Sequence, residues 1–80
     1  MDLSSLTEFL VKSLVSDPES VSVKQFEDDD LITIEVLVSS DDMGKVIGRG
    51  GIIANSIRNI VQASSRLNNE RYVKINIDSF

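Results

Sequence analysis

Leu3, Leu6, Leu10 and Leu14, joined by Phe9, recur at helical spacing and predict a first helix over residues 3–16, with this stripe turned to a core. Asp2, Ser4 and Ser5 are candidate caps, and Ser5-x-x-Glu8 reads as a capping box. Asp17-Pro18 ends the helix, because a residue before proline is pushed out of the helical region. Residues 21–26 alternate imperfectly and predict a short edge strand. The acidic run Glu27-Asp28-Asp29-Asp30 lacks the alternating ligands and central glycine of a calcium loop and reads as a solvated hairpin turn. Ile32, Ile34, Val36 and Val38 then share one face of the clearest strand in the chain, with Thr33, Glu35 and Ser39 on the other.

Ser40-Asp41-Asp42 supplies capping residues to a short helix over residues 43–47. A longer helix is expected over residues 52–66. Its predicted core arc holds Ile53, Ile57, Ile60 and Ser64, with Ala54 and Val61 beside them and Ile52 outside. Leu67-Asn68-Asn69-Glu70 makes a polar exit, and Tyr72 to Asp78 predicts a last strand with Val73, Ile75 and Ile77 facing inward. The order is α-β-β-α-α-β, an α+β fold. A short turn makes the first two strands antiparallel, and the long return through two helices makes the second and third parallel. The expected architecture is a three-stranded mixed sheet with helices on one face, in a single domain over residues 1–80.

Between the two later helices lies Gly44-Lys45-Val46-Ile47-Gly48-Arg49-Gly50-Gly51-Ile52-Ile53-Ala54. Glycines there let the backbone turn at positive φ and approach a ligand without Cβ obstruction. The free N–H groups of the following helix and its dipole favour an anionic oxygen. The plain alternative is a helix corner in which glycine only permits tight packing. A dinucleotide fingerprint fails because Ile53 stands at the third glycine. A nucleotide P-loop fails because Val46 follows Gly44-Lys45 and Ser39 replaces the upstream glycine.

Val46-Ile47-Gly48-x-x-Gly51-x-x-Ala54 closely resembles the signature of the KH domain, whose G-x-x-G loop clamps about four nucleotides of single-stranded nucleic acid. With Ile57-Arg58 included, essentially the whole chain is similar to the small bacterial single-KH proteins of the KhpA (YlqC) type. The resemblance implies the type II KH arrangement. It also implies partnership with a larger Jag/KhpB-type RNA-binding protein and a role in cell-wall and cell-shape control. Two positions depart from the family: Gly50 and Ile52 stand where long polar or basic residues are usual, which implies fewer phosphate contacts.

Net charge is −5, which by itself argues against a phosphate-rich partner. The distribution changes that. Residues 1–42 hold 2 basic and 11 acidic side chains (2 − 11 = −9), and residues 43–80 hold 6 basic and 2 acidic (6 − 2 = +4). The half with the glycine loop is basic and can attract phosphate locally. Histidine and cysteine are absent, removing the commonest general base, thiolate metal sites and disulfides, so neither an enzyme nor a metal or other cofactor is expected. No apolar run reaches the length of a membrane span, and a soluble cytoplasmic protein is expected.

The candidate RNA-binding residues are Lys45, Ile47, Gly48, Arg49, Gly50, Gly51, Ile52, Asn55 and Arg58, with Ile53 an alternative base contact. Ile47 and Ile53 read first as core and only second as base contacts, and Arg58 reads also as a solvated helix residue. Phe9, Phe26, Tyr72 and Phe80 all lie far from the loop in sequence, so sequence-specific reading by base stacking is not expected. Two functions remain. One is a module for single-stranded RNA, an RNA chaperone or post-transcriptional regulator, working as a homodimer or with a Jag/KhpB-type partner. The other is a dimerisation adapter on the same scaffold with little RNA binding. Ile52 and Val61 are the candidate dimer contacts.

Overall fold

The computed structural model describes residues 2–68 and 71–80, so Asn69 and Glu70 of the expected polar exit lie outside the described residues. Helix α1 spans Leu3–Lys12, β1 Ser22–Glu27, β2 Leu31–Val38, α2 Met43–Ile47, α3 Ile52–Leu67 and β3 Tyr72–Ser79. The sheet order is β1-β2-β3, with β1 antiparallel and β3 parallel to β2. This is the expected α+β arrangement, a mixed three-stranded sheet with three helices against one face. Alternation carries β2: Ile32, Ile34, Val36 and Val38 are buried against Val11, Val46, Ile57 and Val61 from the helices. The acidic turn is held by the Asp28 carboxylate, which accepts from Asp30 N–H at 3.0 Å and Leu31 N–H at 2.8 Å.

Two helical stripes differ from expectation. Helix α1 starts on the Asp2 side chain, which accepts from Ser5 N–H at 2.7 Å, and ends at Lys12. It stops short of Ser16 because the N–H groups of Ser16 and Asp17 go to the Asp42 carboxylate, at 3.0 and 3.1 Å. Its buried face is Leu3, Thr7 and Val11, with Leu6 and Leu10 half-buried, while Phe9 and Leu14 are exposed. Thr7 can replace a leucine there because its hydroxyl donates to Leu3 O at 2.8 Å.

Helix α3 is rotated in the same sense. It buries Ala54, Ile57, Val61 and Ser65, and Ile60 stands outside. Small residues at both ends of that line allow close approach to the sheet, and the Ser65 hydroxyl donates to Arg71 O at 2.8 Å, closing the turn into β3.

Candidate nucleic-acid interface

The turn between α2 and α3 requires its glycines for different reasons. Gly48 closes α2, donating its N–H to Gly44 O at 3.0 Å, and adopts φ 76°, ψ 174°, a region open to little but glycine. A Cβ there would sit 2.7 Å from Ile53 Cγ1, so the loop also needs the space. Gly50 and Gly51 are left-handed, at φ 64° and 81°. A Cβ at Gly50 would meet nothing within 4 Å, so this position points into open solvent beside exposed Arg49. Helix α3 begins directly after Gly51 with no side-chain cap on its first N–H groups. The first of these, of Ile52, donates to Arg49 O, so the dipole and the remaining first-turn N–H groups are what this corner offers an anion.

A groove of roughly 500 Å³ lies between the middle and C-terminal part of α3 and β3. Its α3 wall is Arg58, Asn59, Gln62 and Arg66, and its β3 wall is Tyr72 to Asn76. Two side chains tie the walls together. Arg58 Nε donates to Ile75 O at 3.2 Å, and Gln62 Oε1 accepts from Val73 N–H at 2.9 Å. Asn55 joins the groove to the loop: its amide lies 3.8 Å from the Cβ position of Gly51, and its Oδ1 accepts from Arg58 at 3.2 Å. Among the described lining residues, Arg58, Arg66 and Lys74 are basic and none is acidic. The arrangement offers backbone donors and positive charge for phosphates beside polar edges for bases.

The expected site residues divide. Gly48, Arg49, Gly50 and Gly51 form the loop, Arg58 lines the groove, and Asn55 stands between them. Ile52 is 64% exposed at the start of α3. Ile47 is half-buried, and Ile53 packs against the core while supporting Gly48.

Lys45 turns elsewhere, to the Ser16 hydroxyl and to Asp42 Oδ1 at 3.5 Å. Its side chain is half-exposed, and this weak surface pair places it beside Asp42 rather than in the groove. Asp42 is 2% exposed. The Ser16 N–H, then the Asp17 N–H, the Ser39 hydroxyl and the Lys45 charge hold its carboxyl below the usual carboxylate range, against the opposing effect of burial.

Val61 corrects the expected dimer contacts: it is 0% exposed, in the middle of the core, and cannot present itself to a partner. Sequence reasoning also missed Gln62, Tyr72, Lys74 and Asn76. Tyr72 is far from the loop along the chain, yet β3 folds back beside α3 and brings it to the groove.

A sequence model described as the KH domain of KhpA/KhpB matches residues 4–77. The chain is 42% identical over 71 residues to the RNA-binding protein KhpA of Clostridium perfringens, covering 89% of this chain and 95% of that protein. It is 39% identical over 71 residues to the RNA-binding protein KhpA of Clostridium acetobutylicum, with the same coverage. To the protein of that name from Borreliella burgdorferi it is 41% identical over 66 residues, covering 82% of this chain and 80% of that one. Among solved structures, Era in complex with MgGDPNP and nucleotides 1506–1542 of 16S ribosomal RNA superposes with a TM-score of 0.78 at 16% identity. Aquifex aeolicus Era Y63A bound to GDP·AlF4− superposes with a TM-score of 0.77, also at 16% identity. Both matches cover 98% of this chain and 30% of the Era chain, a likeness of fold alone.

Proposed function

The chain belongs to the KhpA/KhpB KH-domain family, and from that premise we propose that residues 1–80 act as a single KH module that holds single-stranded RNA. Curated relatives are named RNA-binding proteins and the KH domain is a non-enzymatic fold, so the chain is not an enzyme. The observation that carries the RNA reading is that Asn55 stands between the glycine loop and Arg58 of the basic groove. Phosphates meet the loop backbone, Arg49 and the first-turn N–H groups of α3 beyond Ile52, while bases lie along β3 between Arg58, Gln62 and Lys74. Such a module serves as an RNA chaperone or post-transcriptional regulator in the cytoplasm, in line with a role in cell-wall and cell-shape control. No helix among the described residues is long and apolar enough to cross a membrane.

The groove holds only about four nucleotides, and Gly50 and Ile52 supply no charge to it, so one domain alone binds weakly. Pairing with a second copy or with a Jag/KhpB-type protein raises apparent affinity through effective concentration. One observation supports pairing and also sustains the adapter reading. Ile52, Ile60, Ala63 and Leu67 recur along the outward face of α3, with Ile60 48% exposed. An apolar line of this kind suits a two-fold helix contact.

Replacing Arg49 and Gly50 together by Asp places two negative charges where phosphate is expected and leaves the core untouched. Single-stranded RNA affinity should fall sharply while circular dichroism stays native-like. Unchanged affinity in the folded double variant would favour the adapter reading.

A further inference from the structure

The face of the sheet opposite the helices is uncovered, and its register brings two aromatic rings to it. Ile32, Ile34, Val36 and Val38 point inward, so Leu31, Thr33 and their cross-strand partners point outward. Phe26 pairs with Thr33 and Thr33 with Lys74, while Leu31 pairs with Tyr72. Phe26 is 53% exposed and Tyr72 63% exposed. Strand spacing and rise place their Cα atoms about 12 Å apart, with Thr33, Leu31 and Lys74 between them.

Tyr72 and Lys74 also line the groove beside α3, so the groove and the open face meet at the β3 edge. Exposed aromatics on a sheet face stack about two or three bases in sheet-based RNA readers, such stacking tolerates any base, and here the two rings stand on the outer strands with β2 between them.

We propose that the uncovered sheet face between Tyr72 and Phe26 is a second single-stranded-RNA surface, on which bases leaving the groove stack after passing around β3. The proposal rests on the RNA-binding reading of the groove. Continuity through Tyr72 and Lys74 selects nucleic acid as the occupant, since the strand arrives there from the groove with Lys74 beside its phosphates. Lys24, two residues before Phe26 on the same face, lies beyond the second ring and is paired across the strands with exposed Glu35, so the path stops at Phe26. The acidic turn at Asp28–Asp30 bounds the path and repels phosphate at that end.

The test compares oligoribonucleotides of about four and about eight nucleotides, lengths that fill the groove alone and the groove plus the sheet. Phe26→Ala should weaken the longer oligomer about tenfold and leave the shorter one unchanged. Phe26→Trp, which keeps the stacking surface, should bind the longer oligomer like the original, and its indole emission should be quenched by it. Unchanged affinity of Phe26→Ala for the longer RNA, with the original protein binding both lengths, would overturn the sheet surface alone and leave this face to a protein partner. Failure of the original protein to bind either length would overturn the groove reading as well.

Discussion

Gly48→Ala and Gly50→Ala test whether the loop's glycines serve the reasons the geometry gives. At Gly48, φ 76° and ψ 174° are nearly forbidden to a side chain, a strain of roughly 1–3 kcal/mol. The new methyl would also approach Ile53 Cγ1 to 2.7 Å. Ile53 is β-branched, in the first turn of α3 and packed on the core, so it yields only by leaving its rotamer or shifting the helix. Overpacking of this sort costs roughly 1–3 kcal/mol. The stiffer unfolded chain returns about 0.4–1 kcal/mol. The net loss is about 2–5 kcal/mol, a large share of the roughly 4–12 kcal/mol expected for a domain of this size. At Gly50 there is no contact within 4 Å, so only the left-handed penalty of about 1–2 kcal/mol applies, less the same return. Urea and thermal unfolding of both variants measure the difference. A gap of 2 kcal/mol separates the melting temperatures by roughly 8–16 °C. Equal losses at the two positions would refute the argument that Gly48 is fixed by Ile53 and Gly50 by nothing but its φ.

Asp42 gives a pH dependence of definite sign. Its carboxyl lies below the ordinary value of 3.8 when folded, so its contribution is full above that value and is lost as pH falls through the folded one. Urea midpoints between pH 7 and 2.5 should therefore fall at the acid end, and Asp42→Asn should flatten that fall. For RNA affinity, Arg49, Arg58, Arg66 and Lys74 should give a log–log salt slope of roughly −2 to −3. Lys74→Ala should reduce its magnitude by about 0.7, whereas Lys45→Ala should leave the slope unchanged. Ile60→Asp should abolish dimerisation in sedimentation while keeping native dichroism, whereas Val61→Asp should unfold the chain, because Val61 has no exposed surface. Tyr72 is the sole tyrosine and tryptophan is absent, so quenching of intrinsic fluorescence by RNA reports on Tyr72 alone.

The strand β2 was legible because a sheet covered on one face enforces strict alternation, and the α2–α3 corner because glycines at positive φ leave a mark no other residue can. The rotation of the two long helices was not. Hydropathy assigns bulk apolar residues to the core, but Thr7 and Ser65 are buried with their hydroxyls bonded to backbone oxygens, and Ile60 is left outside. A satisfied small polar residue and an exposed isoleucine invert the signal, and that inversion moved Val61 from the centre of the core to the edge of the predicted arc. The loop half of the candidate site follows from local sequence. The groove half does not, because Gln62, Tyr72 and Lys74 become neighbours only when β3 returns parallel to β2. The pairing of Lys45 was hidden for a similar reason: its partner Asp42 is held by Ser16 and Asp17 from a distant segment.

Backbone amide mapping by NMR, with a single-stranded RNA of about four nucleotides, tests the central claim most directly. The account predicts shifts at Gly48–Ile53, at Asn55 and Arg58, and along Val73–Asn76, with none on the N-terminal half of α1. Shifts confined to the outward face of α3 around Ile60, or an unperturbed glycine loop at saturating RNA, would contradict it.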